Sequence, residues 1–223
     1  MIPRTSTRTF CILSAIAGIL GVLMIVDSFG INMGPPLNAT NDQLILFAKQ
    51  HYHEVLRASW LQAVGTFLVI LFAIAIVHLA KAANTFSGWM TLLGSSILIM
   101  VSLTEVVCYI MALFAVPEIM GAIGNNIGHA VQHLYFIIAA PSVFLPLAFV
   151  ILSSKILPKI FGYLAIILGA AFIAVGISSL YRLILSSLDT SLAAIQALWW
   201  LAAAIVLLIR SGKTETKIEE SVF

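Results

Sequence analysis

The chain has 223 residues, 61% of them hydrophobic and only 9% charged, with a formal net charge of +2. Soluble domains carry roughly 25% charged residues, so this composition excludes a soluble globular core, and so small a net charge calls for no nucleic-acid partner. The two cysteines, Cys11 and Cys108, form no CxxC or CxxCH spacing, which excludes a thiol relay and covalent c-type haem.

Six apolar runs follow one another along the chain: Phe10–Phe29, Trp60–Leu79, Trp89–Val116, Ile127–Leu152, Ile160–Leu185 and Leu192–Ile209. A helix needs about 20 residues to cross the hydrocarbon. Membrane-spanning barrels show short alternating segments instead. The expected fold class is therefore all-α, a polytopic membrane protein with six transmembrane helices. Residues 1–210 form a single transmembrane domain, and Ser211–Phe223 is a short, charged cytoplasmic tail without fixed structure. Arg4 and Arg8 ahead of the first run read as the flank of a retained helix, because that run is too long for a signal peptide.

The basic residues set the orientation. With the N-terminus inside, Arg4, Arg8, Lys81, Lys155, Lys159, Arg210, Lys213 and Lys217 are cytoplasmic, and Lys49, Arg57 and Arg182 are outside. This follows the positive-inside rule and puts both termini in the cytoplasm. Cys11 and Cys108 then lie at opposite ends of their helices, and no disulfide is expected.

Between the first two runs, Gly34-Pro35-Pro36 breaks the chain. Thr40 followed by Gln43 has the form of a capping box, and Leu44, Phe47, Ala48 and Tyr52 recur at helical spacing. They predict an outer amphipathic helix, lying on the membrane surface or running into the second spanning helix, and serving either as a plain interfacial connector or as a lid or lateral gate over the outer cluster. The odd-numbered helices share a Phe-x7-Gly spacing, at Phe10/Gly18, Phe86/Gly94 and Phe161/Gly169. An aromatic anchor and a close helix contact are the expected uses. Small-residue faces such as Gly18/Gly21 and Gly169/Ala170 permit self-association into a homo-oligomer.

The spacing also provides a ruler. At ~1.5 Å per residue, Asp27 lies ~26 Å above Phe10, Glu105 ~28 Å above Phe86 and Arg182 ~31 Å above Phe161. The fourth helix runs the other way and begins with His129 and His133, four apart and on one face. Tyr109, Tyr135, Tyr181, Gln132, Asn125 and Asn126 fall at similar heights, and His51, His53, Glu54 and Arg57 descend from the first outer loop. Ionisable groups in a spanning helix are costly unless they face a partner or a wet cavity. A shared outward-facing pocket explains the clustering; an Asp27–Arg182 surface ion pair with Glu105 hydrogen-bonded to its Tyr or Ser neighbours is the plainer alternative. Pro141 and Pro146 are expected to kink the fourth helix just below the histidines.

Two imidazoles on one face and a carboxylate opposite form a ligand set for zinc, iron or copper. His129, His133, Glu105 and Asp27 are the candidate metal ligands. Bis-histidine b-type haem uses the same pair, and a hydrogen-bonding or proton-relay role needs no metal at all. Glu105 and His133 are the candidate catalytic groups; Arg57, Arg182, Tyr109 and Tyr135 are the candidate substrate-binding groups. His78 and the pair Trp199–Trp200 read as interfacial and packing residues. Three functions stay open: a metal-dependent membrane enzyme acting on a lipid or small amphipathic substrate, a non-catalytic lipid or small-molecule binding or sensory module, and a proton-coupled transporter.

The text His129-AVQ-His133-LYF, Pro141, Pro146-LAFVILSSKILPKIFGYLAIILG resembles small bacterial six-helix integral membrane proteins of a domain-of-unknown-function family. The resemblance covers the second half of the chain. It implies a multi-pass protein of the bacterial inner (plasma) membrane, with the lipid bilayer as its surroundings and no assigned activity.

Overall fold

A computed structural model describes residues 7–31, 40–114, 130–131, 133–180 and 186–219. Among them the architecture is all-α: α1 (Thr7–Ile31), α2 (Asn41–Gln50), α3 (Tyr52–Leu79), α4 (Phe86–Phe114), a π-helical turn (Tyr135–Ala139) leading into α5 (Ala140–Ser153), α6 (Lys159–Leu180) and α7 (Ser186–Glu219). Six helical segments are long and apolar enough to cross a membrane. Their outer faces expose large apolar side chains such as Leu20, Leu23, Phe149, Ile167 and Leu198. In water such a girdle would be an association surface; lipid covers it in a multi-pass membrane protein.

The spans pack in a closed order. α1 lies against α3 and α7, α3 against α4, α4 against α5, α5 against α6, and α6 more lightly against α7. Aromatic rings fill the middle. Phe144 meets Phe172, Trp199 and Trp200 at ring-centroid distances of 6.0, 5.2 and 5.3 Å, and Phe72 meets Trp200 at 6.1 Å. All five are almost fully buried. Trp199 also donates from Nε1 to the Phe161 carbonyl at 3.1 Å, so the tryptophan pair is structural packing, as its position suggested.

Several boundaries differ from the hydropathy pattern. Tyr52 begins α3 rather than ending the connecting helix, because His51 leaves the helical conformation and divides α2 from α3. The first two turns of α3 thus carry His53, Glu54 and Arg57, which apolarity alone cannot assign to a spanning helix. The capping box of α2 is complete: Thr40 N–H donates to Gln43 Oε1 at 2.9 Å and Gln43 N–H to Thr40 Oγ1 at 3.4 Å. The side chains of Leu44 and Ala48 lie outside the described residues, as do Gly34, Pro35 and Pro36. At the other end helix runs into the segment expected to be tail. α7 continues to Glu219, since extending an existing helix needs no new nucleus and Lys and Glu are good helix formers.

The α3–α4 turn sets the register that matters below. Lys81 takes the left-handed conformation at φ 54°. Lys81 N–H donates to the His78 carbonyl and Ala82 N–H to the Val77 carbonyl, the paired bonds of a Schellman stop. Thr85 Oγ1 then accepts from Gly88 N–H at 3.1 Å and caps α4. Only glycine fits at 88, where a Cβ would lie 1.9 Å from the Ala82 carbonyl oxygen.

The Phe-x7-Gly spacing resolves into two parts. Each glycine is a close helix contact: Gly18 against Phe72 and Ala204, Gly94 against the Ser142 backbone, Gly169 against Leu145. The phenylalanines share no environment. Phe86 is 81% exposed and Phe161 9%, while Phe10 sets its ring 5.2 Å from His78. Gly21 and Gly65 approach each other's carbonyls across α1 and α3, so Gly18, Gly21 and Gly169 all make their close contacts within the chain.

Where the fourth span was expected to kink, the π-turn supplies the irregularity. Ala140 N–H reaches back five residues to the Tyr135 carbonyl, and Pro141, which has no N–H to continue the ladder, follows directly. Such π-turns recur at functional sites.

Candidate functional site

Polar side chains inside the bundle gather toward the end where α2 lies. They begin as a ladder between α3 and α4. Ser59, Gln62 and Thr66 stand at i, i+3 and i+7 on one face of α3; Ser102, Glu105 and Tyr109 have the same spacing on α4, so each set lines one helix face. The turn at Lys81–Gly88 brings the two faces together in antiparallel register. Thr66 Oγ1 and Ser102 Oγ share a hydrogen bond of 2.9 Å. Gln62 Nε2 donates to Glu105 Oε2 at 2.7 Å, and Tyr109 O–H donates to Glu105 Oε1 at 3.0 Å. Gln62 is only 5% exposed, and Ser59, the next position up, has a fully buried hydroxyl with no hydrogen-bond partner.

Both oxygens of Glu105 accept from donors, an arrangement that suits a carboxylate rather than a neutral acid. Across the bundle, Tyr135 O–H donates to Gln196 Oε1 at 2.6 Å, linking the π-turn to α7. Tyr135 in turn packs 5.8 Å from Phe172, where the aromatic core begins. The polar interior therefore ends on a floor of aromatic rings.

A second group lies at the surface of the same end. Arg57 Nη2 stands 3.6 Å from Asp27 Oδ2, with both side chains more than half exposed; such a pair contributes about 0–1 kcal/mol. His51 Nδ1 pairs with Glu54 within the first turn of α3, where an acidic residue favours the helix dipole. Ile31, Phe47, His51, His53, Glu54, Val55 and Arg57 line an open cleft of about 530 Å³ beneath α2. A groove of about 580 Å³ that shares His53 and Arg57 with this cleft runs between α3 and α4.

The residues picked out from the sequence are divided among these groups. Glu105 and Tyr109 meet each other, whereas Tyr135 bonds to Gln196. Asp27 and Arg57 meet on the α1–α3 side, so the partner of Asp27 among the described residues is Arg57. His133 is exposed at the start of the fourth span. His129 and Arg182 lie outside the described residues, as do Asn125, Asn126, Gln132 and Tyr181, so the histidine pair has no geometry here. Among the described residues no group of three His, Cys, Asp or Glu side chains is placed to hold a metal ion. Cys11 and Cys108 are free thiols. Gln62, Thr66, Ser102 and Ser59 were not singled out from the sequence; their matched i, i+3, i+7 spacing on consecutive helices is the signal that marks them.

Comparisons with known family models, with curated proteins and with solved structures give no match to this chain.

Proposed function

We propose that this protein is a non-catalytic binding module of the bacterial inner membrane. It takes a lipid or small amphipathic molecule into a pocket at its α2 end, with that end facing away from the cytoplasm. The observation that carries the reading is the Gln62–Glu105–Tyr109 network. A carboxylate is held in a spanning helix by two donors, at one end of a bundle whose middle is filled by Phe72, Phe144, Phe172, Trp199 and Trp200. Polar groups are costly at such depth and are retained for a use. The aromatic floor argues for a blind pocket and against the proton-coupled transporter, which needs a site near the midplane with access from both sides. Basic residues concentrated at the opposite end support the orientation.

The metal-dependent enzyme is the second reading. It is favoured by His133, which lies two residues from Tyr135 at the same end. Stoichiometric zinc, iron or copper in the purified protein, lost in His133→Ala, would replace the first reading with this one.

A thermal-unfolding screen of the purified chain tests the binding reading, using a fatty acid, a lysophospholipid and an alkylamine of matched length. Binding to the folded state alone raises the transition temperature. At least one class is expected to do so in the wild type and to lose its effect in Glu105→Gln. Three classes without effect on the wild type would end the proposal.

A further inference from the structure

The groove between α3 and α4 is lined by His53, Leu56, Arg57, Ser59, Trp60, Ala63, Val106 and Ile110. Its volume, about 580 Å³, falls within the ~300–1,000 Å³ typical of ligand sites, and it opens on the outer surface, where Trp60 is 61% exposed. The lining is graded along α3. His53, Leu56 and Arg57 stand nearest the helix start with Ile110 of α4 at the level of Arg57, Ser59 and Trp60 follow, and Ala63 with Val106 continues as an apolar wall. Among the described residues no carboxylate belongs to this lining, whereas the cleft beneath α2 includes Glu54.

Ser59 is the unusual member. Serine and threonine hydroxyls in these helices commonly return a bond to the carbonyl four residues back, as Ser14, Thr91, Ser96, Thr104 and Ser178 do. Ser59 makes no such bond, and its hydroxyl is buried without a partner. Ser95 shares that state but does not line the groove.

We infer that this groove is a binding site for an anionic phospholipid of the leaflet at the α2 end. The inference rests on reading that end as a binding face and adds to it a lipid site beside the Glu105 network, which does not line the groove. One acyl chain lies along Ala63 and Val106. The phosphate is held by Arg57, whose guanidinium has five donors and only a loose 3.6 Å contact to Asp27, with His53 beside it. Ser59 sits two residues further along α3, about 3 Å deeper along the axis. That is the level at which a phospholipid presents its ester carbonyl, below the phosphate and above the chain. Rotation about the Ser59 Cα–Cβ bond re-aims the hydroxyl toward it. Trp60, amphipathic and facing outward, suits the same interfacial depth. A zwitterionic headgroup carries its own cation, which competes with Arg57 for the phosphate, so a net negative lipid is favoured.

The test is native mass spectrometry of the full chain with phosphatidylglycerol and phosphatidylcholine of identical chains, each ester- and ether-linked. Wild type should retain about one phosphatidylglycerol, preferred over phosphatidylcholine by about tenfold, the scale of one charge-assisted hydrogen bond. Arg57→Gln should remove the preference. Ser59→Ala should weaken both ester lipids about equally and leave ether lipids unchanged. Ala63→Phe, which fills the groove, should weaken all four. A preference that survives Arg57→Gln, or binding indifferent to Ala63→Phe, overturns the site. Lipid retained without headgroup preference overturns the anionic assignment yet leaves the binding reading standing. No retained lipid in any form overturns the site, and the amphiphile screen then decides the broader reading separately.

Discussion

Gln62 Nε2 and Glu105 Oε2 meet at 2.7 Å across 43 residues of chain, and the turn between their helices is what lets them meet. Each helix turns one polar stripe toward the other, so rotating either helix about its axis would take the carboxylate away from Gln62. The pair thus reports the α3–α4 alignment as well as forming the centre of the candidate site.

Removing either partner should therefore be costly, and removing both less so than the sum. Glu105→Ala leaves the Gln62 amide and the Tyr109 hydroxyl without their acceptor, at about 1–3 kcal/mol for an unsatisfied buried group. A double-mutant cycle of Gln62→Ala and Glu105→Ala should give a coupling of about 0.6–1.7 kcal/mol, the range of interhelical hydrogen bonds in membranes. Reversible unfolding in mixed micelles provides the measurement. Strict additivity would mean that the bond contributes nothing in the folded chain.

Gly94 and Gly169 occupy matching places in the repeated spacing but should respond differently to alanine. At Gly94 the new Cβ would lie 1.9 Å from the backbone oxygen of Ser142; at Gly169 the nearest atom is Leu145 Cδ2, at 2.6 Å and at the end of a flexible side chain. Alanine gains up to about 1 kcal/mol of helix propensity at either position. Overpacking costs typically about 1–3 kcal/mol, and only Leu145 can move aside. Gly94→Ala should destabilise clearly, and Gly169→Ala should be near neutral. The opposite ranking in thermal unfolding would contradict the packing at the α4–α5 contact.

Much of this architecture was readable in the sequence because a bilayer imposes it. Six spans follow from length and apolarity, and the Thr40–Gln43 box from local chemistry. The three glycines were correctly read as close contacts, whereas the three phenylalanines, in three different surroundings, show that a shared spacing need not mean a shared role. Glu105 and Tyr109 could be placed at one height by counting residues. Their partner Gln62 could not, since height does not tell which neighbouring helix faces the carboxylate. For the same reason counting could not tell that Asp27 faces Arg57: the ruler carried no information about α3 before Trp60. That helix starts eight residues earlier because polar residues such as Glu54 and Arg57 sustain a helix that hydropathy does not register. The π-turn before Pro141 was legible only as a disturbance and not in form.

Lys81 offers a test of the turn itself. A side chain in the left-handed region costs roughly 1–2 kcal/mol relative to ordinary helix geometry, a cost that glycine avoids at the price of a more flexible unfolded chain. Lys81→Gly should stabilise the protein by about 0.5–1 kcal/mol, while Lys81→Val should destabilise it, since a β-branched side chain is poorly accommodated at φ 54°. If valine is tolerated as well as glycine, the Schellman stop is not what ends α3.

Orientation decides which leaflet the α2 end meets, and the charge distribution gives the expectation to be tested. Holding Lys and Arg loops on the cytoplasmic side requires Lys155, in the α5–α6 connection, to be inside and Lys49, at the end of α2, to be outside. Both side chains are exposed, so cysteine at either position should react with a maleimide that reaches it. With Cys11 and Cys108 replaced by serine, Lys49→Cys should label in intact cells with a membrane-impermeant reagent, and Lys155→Cys only after permeabilisation. Arg210 is a useful internal control, because it donates to the Lys155 and Ile156 carbonyls at 2.9 Å each and so ties α7 to that same end; Arg210→Cys should label with Lys155→Cys and never with Lys49→Cys. The reverse pattern would put the Glu105 network and the α3–α4 groove at the cytoplasmic leaflet. The groove would then have to be tested against the lipids of that leaflet, and the outward-facing pocket would be excluded.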